Sequence, residues 1–97
     1  MPLQLSDVLD KKDAILEIFY RNDAHSVLVF GSIARGESSP HSDLDLLCEI
    51  DIQLGLIPII GMENELAELL GIHVDVCPRY LLKPEILESA LKDAIPL

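Results

Sequence analysis

A strongly apolar segment of the chain stops abruptly at a glycine. Residues 27–30 read Val-Leu-Val-Phe, a run of strand-forming side chains, and Gly31 and Ser32 follow at once. Glycine permits a sharp turn and the close approach of a ligand, while Ser32 supplies a hydroxyl and a backbone amide where a short helix through Arg35 can begin. Free amides at a helix start attract phosphate. The segment therefore predicts a buried strand followed by a phosphate-binding turn.

Two aspartates follow this turn after ten residues, in a stretch where apolar and polar side chains alternate. A polar loop containing Pro40 leads into the sequence Asp43-Leu44-Asp45-Leu46. Since successive side chains of a strand point to opposite faces, Asp43 and Asp45 share one face. Their Cα atoms would lie roughly 6.6 Å apart, so both carboxylates can reach a common cation. The opposite face would carry Leu44, Leu46, Cys48 and Ile50.

A third aspartate occurs in a similar pattern later in the chain. Asp75 stands between Val74 and Val76, and alternation places it on the face opposite these valines. If this strand lies beside the earlier one, three carboxylates converge, and their like charges repel each other unless a cation neutralises them. Asp75 would then be a general base or a ligand on the nucleophile side of the site.

The all-oxygen donor set favours Mg²⁺, with Mn²⁺ as the alternative ion, over Zn²⁺, which usually recruits Cys or His. Three such acids can hold two ions together with a nucleoside triphosphate. Taken singly, the Gly-Ser pair could be an ordinary turn and Asp43-x-Asp45 a solvated strand edge. Their joint placement with Asp75 favours a metal-dependent nucleotide site.

The chain carries three short motifs in order: Gly31-Ser32-x-Ala34-Arg35-Gly36, Ser42-Asp43-x-Asp45-Leu46 and Val74-Asp75-Val76. Together they resemble those of the DNA polymerase beta-like nucleotidyltransferase superfamily, and within it the minimal nucleotidyltransferases. The resemblance implies that Gly31 and Ser32 contact the triphosphate, that Asp43 and Asp45 bind the metal, and that Asp75 is the third catalytic and metal-binding acid.

Two further residues near these motifs keep two interpretations each. Arg35 is either a nucleotide-binding residue that contacts the triphosphate or a surface or partner-contact residue. His73 alternates onto the face of Asp75 and could tune that carboxylate, although a structural histidine is the interpretation we favour from sequence.

The family resemblance also implies an activity and a partner. Short members act as antitoxins beside a small helical nuclease of the HEPN class, encoded nearby, and transfer AMP from ATP to a tyrosine of that partner. The chain would thus be an enzyme, a protein adenylyltransferase that uses ATP as its substrate. Two alternatives remain, namely a non-catalytic antitoxin that neutralises its toxin by binding, and nucleotidyl transfer to a small hydroxylated molecule.

Composition restricts the classes of partner. The net charge of −10, from 17 acidic and 7 basic residues, argues against a nucleic-acid substrate, because binding a phosphate backbone requires clustered Lys and Arg. The content of 49% hydrophobic residues favours an apolar surface patch that contacts a partner. The sequence leaves open whether the protein forms a homo-oligomer or a hetero-oligomer. We expect residues 1–97 to form one nucleotidyltransferase domain, cytoplasmic and without a membrane segment.

The remaining periodicity predicts helices around this sheet. Amphipathic patterns cover about Ser6 or Asp7 to Arg21, about 52–70, and 84 to about 94. The predicted fold class is therefore α/β or α+β, a small mixed sheet flanked by helices. Glu63 is predicted to lie on a solvated helix face. The expected helix signals are Ser6 and Asp51 as N-caps, Pro58 as a kink or split, Gly71 as a stop and Pro84 in the last helix's first turn.

Overall fold

The computed structural model describes residues 2–97, and within them four strands form one sheet. The strands are β1 (His25–Phe30), β2 (Leu44–Glu49), β3 (Val74–Pro78) and β4 (Ile95–Pro96). Their spatial order is β3-β2-β1-β4, with β2 and β3 parallel and the other neighbouring pairs antiparallel. The predicted mixed sheet is confirmed. The strands that carry Asp45 and Asp75 are neighbours, which is the condition on which the convergence of the acids depends.

Helices flank this sheet. The longest, α4 (Ile57–Leu70), begins in an apolar segment and is capped by Gly71, which adopts a φ of +73° and donates its amide to the carbonyl of Ala67 at 2.8 Å. The predicted stop at this glycine is confirmed, since left-handed backbone at a helix end suits glycine. The described helices are α1 (Leu5–Asp10), α2 (Lys12–Arg21), α3 (Gly31–Ala34), α4 (Ile57–Leu70) and α5 (Pro84–Asp93), with short 3₁₀ turns at Ile52–Leu54 and Arg79–Leu81.

The hydrophobic core lies between one sheet face and helices α1, α2 and α4. Leu44 and Leu46 of β2 are fully buried on this face, and Val74 and Val76 of β3 are almost fully buried there. This alternation leaves the intervening Asp45 and Asp75 on the other face, where both are only half-buried. The core therefore sets which way the acids point. Other members of the core are Val8, Ile15, Ile18, Phe19, Val27, Val29, Ile33, Ile59, Met62 and Leu66.

The first predicted helix is in fact two helices. The chain breaks at Lys11, whose φ of −105° and ψ of 16° lie outside the helical range. The predicted N-cap at Ser6 is wrong, because Gln4 occupies that position and its backbone N–H donates to the Asp7 carboxylate at 2.8 Å. The break lets α1 and α2 present Val8 and Ile15 separately to the same core, where both are fully buried.

The second predicted helix is also interrupted, at Gly55 rather than at Pro58. Asp51 caps only the short 3₁₀ turn, accepting a hydrogen bond from the amide of Gln53 at 2.9 Å. Gly55 then takes a φ of +72°, and Pro58 lies in the first turn of α4, where a missing amide costs nothing. The proline therefore starts a helix instead of kinking one.

Two contacts at the sheet edges were not foreseen. Glu63 is half-buried, and its carboxylate accepts a hydrogen bond from the amide of Val76 at 2.8 Å, so its assignment to a solvated face is wrong. This bond satisfies an outer amide of the edge strand β3. At the opposite edge the chain's last residues pair with β1, through Val29 with Ile95.

No helix among residues 2–97 is both long enough and apolar enough to cross a membrane.

Candidate active site

The turn after β1 is packed directly against one of the three aspartates. Gly31 has a φ of +79°, in the left-handed region that suits glycine. Phe30 is paired with Asp45 across the antiparallel strands, so the Asp45 side chain lies under the turn. A Cβ added to Gly31 would collide with the Asp45 carboxylate oxygen and would lie 3.3 Å from its Cγ. The glycine therefore lets this turn, which the sequence predicts to bind phosphate, and the acid approach each other.

Ser32 connects this turn to the loop that leads into β2. Its hydroxyl donates to the hydroxyl of Ser42 at 3.4 Å, and the same Ser42 oxygen accepts the amide of Ser39 at 2.8 Å. Ser32 is half-buried at the start of α3, where the first amides of a helix have no intrahelical partner. The serine thus lies at a helix start and also positions the residue that precedes Asp43.

Asp45 and Asp75 are direct neighbours on parallel strands. Their Cα atoms are paired in the register between β2 and β3. Asp43 immediately precedes β2, and the amide of Leu44 donates to the carbonyl of His73 at 3.1 Å, which extends the pairing to the residue before β3. The three acids predicted from sequence are therefore brought to one end and one face of the sheet.

The charges of these acids are coupled. The pKa of Asp45 is raised from 3.8 to about 6, first by burial and then by the negative charges of Asp75 and Asp43. Arg35 and His73 oppose this change, but the net direction remains upward. Negative charge at the site is therefore not balanced by the chain's own cations.

His73 lies beside the acids instead of packing in the core. Its side chain is 65% exposed, and its Nδ1 is 3.4 Å from an Asp43 oxygen and 3.7 Å from an Asp75 oxygen. The ring is therefore a neighbour of two of the three acids and is not part of the core. Its alternation with Asp75 in the sequence was the signal that placed it on the same face.

Arg35 borders a groove next to the turn. Its side chain is 41% exposed and forms an ion pair with Glu37 at 3.1 Å. Phe30, Gly31 and Arg35 form one wall of a groove of about 370 Å³. The sequence did not indicate the other wall, which α5 supplies with Glu85, Ile86, Ser89, Ala90 and Asp93.

The residues at the site fit a hard divalent cation. Asp43, Asp45 and Asp75 offer only carboxylate oxygens, the ligands that Mg²⁺ and Mn²⁺ prefer. Single ligand atoms of Asp43, His73 and Asp75 all lie within 4.8 Å of one another. The upward pKa of Asp45 indicates negative charge that a cation would compensate.

We expect a divalent cation to stabilise the protein more at neutral than at acidic pH. Because the pKa of Asp45 rises from 3.8 to about 6 on folding, this group favours the folded state below pH 3.8, and the advantage is lost as pH rises through about 6. A cation beside the ionised carboxylate offsets that loss. In thermal unfolding, excess MgCl₂ should raise the Tm by several degrees more at about pH 7.5 than at about pH 5, relative to KCl of equal ionic strength. Equal increases at both pH values would contradict this expectation.

Comparison of the sequence with known families and proteins agrees with this geometry. The nucleotidyltransferase domain family matches residues 12–97. A candidate protein adenylyltransferase of Methanocaldococcus jannaschii is 33% identical over 93 residues, which cover 95% of this chain and 93% of that protein. Protein adenylyltransferase MntA of Thermococcus cleftensis is 33% identical over 79 residues, covering 81% of this chain and 80% of that protein.

Solved structures show the same architecture. A candidate minimal nucleotidyltransferase superposes with a TM-score of 0.86 at 37% identity, covering 98% of this chain and 97% of the other. A chain of a toxin–antitoxin structure determined with AMP-PNP shares the fold with a TM-score of 0.73 at 18% identity, covering 88% of this chain and 70% of that one. The present chain belongs to the nucleotidyltransferase domain family and is a nucleotidyltransferase with the minimal fold of that family.

Proposed function

We propose that this enzyme transfers AMP from Mg-ATP to a hydroxyl group of a partner protein. The observation that carries the proposal is the placement of Asp45 against the Gly31 turn and beside Asp75 on the neighbouring parallel strand. A triphosphate on the turn and an acceptor hydroxyl beside Asp75 would then lie on opposite sides of Asp45. This arrangement suits displacement at a phosphorus atom between them.

Each candidate residue has a role in this reaction. Asp43, Asp45 and Asp75 would hold Mg²⁺, one ion or two, which neutralises their charge and that of the triphosphate. The amides and the hydroxyl at Gly31 and Ser32 would orient the phosphate oxygens.

The bond changes balance without any further reactant. The acceptor oxygen forms a bond to the α-phosphorus of ATP, and the bond from that phosphorus to pyrophosphate breaks. Asp75, 42% exposed and on the side away from the turn, receives the proton of the acceptor hydroxyl. Arg35, at the groove beside the turn, would offset charge on the nucleotide.

We further propose that the acceptor is a tyrosine of a HEPN-type toxin encoded nearby, and that the chain is its antitoxin. The relative named MntA is a protein adenylyltransferase, and a similar fold occurs in a toxin–antitoxin structure with AMP-PNP. Since ATP is abundant in the cytoplasm, we place the reaction there. Support for a partner-binding surface comes from exposed aliphatic side chains in one short segment, namely Ile52, Leu54, Leu56, Ile57 and Ile60.

The deciding experiment combines the purified protein with Mg-ATP and the product of the neighbouring gene. Intact-mass spectrometry should show that the neighbour gains one or more AMP units, and peptide mapping should place them on tyrosine. Binding without any mass gain would support the alternative of a non-catalytic antitoxin. Transfer of AMP to a small hydroxylated molecule but not to the neighbour would contradict a protein acceptor.

A further inference from the structure

The imidazole of His73 lies close to two of the three acids, although the roles proposed above do not involve it. Its Nδ1 lies 3.4 Å from an Asp43 oxygen and 3.7 Å from an Asp75 oxygen, so the ring is a close neighbour of both carboxylates. The backbone sets this placement, because the His73 carbonyl accepts the amide of Leu44 at 3.1 Å. This hydrogen bond therefore holds His73 next to Leu44, the residue that follows Asp43.

The distances from His73 Nδ1 to the two carboxylates are longer than those of hydrogen bonds. An N–H···O bond spans about 2.7–3.2 Å, so both nitrogen-to-oxygen distances are too long for direct donation. Atoms that share an octahedral cation through bonds of about 2.0–2.2 Å lie roughly 2.8–3.1 Å apart when adjacent and about 4.0–4.4 Å apart when opposite. The two nitrogen-to-oxygen distances at His73, 3.4 and 3.7 Å, fall between these values. Since single ligand atoms of Asp43, His73 and Asp75 all lie within 4.8 Å of one another, small side-chain rotations would let all three contact one ion.

A nitrogen ligand changes which ion such a site prefers. Mg²⁺ favours oxygen ligands and dehydrates reluctantly, whereas imidazole suits first-row transition metals. Mn²⁺ accepts both carboxylate and imidazole. A position with two carboxylates and one imidazole should therefore discriminate between ions that the carboxylates alone would bind similarly.

We propose that His73 is a metal ligand, coordinating through Nδ1 the cation that Asp43 and Asp75 hold, and that it makes this position prefer Mn²⁺ to Mg²⁺. The proposal rests on the proposed function only in requiring that these two acids bind a cation. His73 immediately precedes β3, so it lies on the β3 side of the site, away from the Gly31 turn.

The test measures Mn²⁺ binding directly, without nucleotide or partner. Titration followed by the electron paramagnetic resonance signal of free Mn²⁺ should show that His73→Gln weakens Mn²⁺ affinity by about tenfold or more. Mg²⁺ affinity, measured by competition, should change by less than about threefold. Pulsed measurements on the bound ion should detect coupling to a directly bound ¹⁴N nucleus in the wild type and lose it in the variant.

His25→Gln is the matched control. His25 is also exposed, at 63%, and also lies beside one carboxylate, 3.5 Å from Glu49, but at the other end of the strands from the acids. This variant should keep both the Mn²⁺ affinity and the ¹⁴N coupling. Because His73 is largely exposed, His73→Gln should retain the Tm of the wild type.

Two results would overturn the proposal: bound Mn²⁺ without ¹⁴N coupling in the wild type, or equal weakening of Mn²⁺ and Mg²⁺ in His73→Gln. The proposed transferase activity fails separately. Nitrogen coupling in a protein that transfers no AMP would support the ligand role of His73 while contradicting adenylylation. Transfer of AMP by a wild-type protein that shows no nitrogen coupling would support adenylylation while contradicting the ligand role of His73.

Discussion

Replacing Asp45 by asparagine is expected to reduce AMP transfer by about 10³-fold or more while leaving the fold intact. The amide has nearly the same shape but neither the charge nor the two equivalent oxygens that a divalent cation needs. Asp45 lies against the Gly31 turn and beside Asp75, so its loss removes the carboxylate nearest to the predicted triphosphate. Initial rates of AMP incorporation into the partner would measure the effect.

A second readout separates this effect from misfolding. The pKa of Asp45 is raised because burial and the adjacent acids disfavour its charge. Without divalent cations at about pH 7.5, Asp45→Asn should therefore unfold at a Tm equal to or above that of the wild type. Glu49→Gln is the matched control, since Glu49 is half-buried, lies in the same strand and is roughly 13 Å farther along it. Full activity in Asp45→Asn would contradict the catalytic role proposed for Asp45.

Gly31→Ala should lose both activity and stability, for two separate reasons. The φ of +79° disfavours any residue with a Cβ, at a cost of about 1–2 kcal/mol. The new methyl group would also collide with the Asp45 carboxylate and displace either the turn or the acid. Because a misplacement of about 1 Å can cost about 10²-fold in rate, we expect transfer to fall by at least that factor. Denaturant unfolding and initial rates measure the two effects.

Gly71→Ala isolates the contribution of the backbone. Gly71 has a similar φ of +73°, but a Cβ there would meet no atom within 4 Å. This variant should lose about 1–2 kcal/mol of folding free energy and retain transfer. If both alanine variants lost activity equally, the contact between the turn and Asp45 would not be the cause. If Gly31→Ala retained wild-type activity, the turn would have no role in holding the triphosphate.

The main strands, and the face of the sheet that carries each acid, could be predicted because the local pattern of apolar and polar residues determines them. The apolar residues 27–30 end at a glycine, and alternation around Asp45 and Asp75 assigns buried and open faces. Burial of the neighbouring leucines and valines then requires the acids to face away from the core. The local pattern does not say that the two strands are neighbours, which the register between β2 and β3 shows.

Other features depend on contacts between residues far apart in the sequence. Whether Lys11 continues a helix depends on where Val8 and Ile15 must reach the core, and no local signal specifies that. The contact from Glu63 to the amide of Val76 arises only because α4 runs beside the edge strand β3. The short strand β4 and the groove wall from α5 likewise exist only through packing on β1 and α3.

Sequence alone predicted which side chains are candidates for the chemistry, and it determined which face each one takes, because alternation along a strand is a local property. Only the tertiary structure decided their distances. It placed the Asp45 carboxylate under Gly31 and the ring of His73 beside both Asp43 and Asp75. Such placement follows from strand register and from the fit of the helices on the sheet, where many small packing energies act together over the whole core.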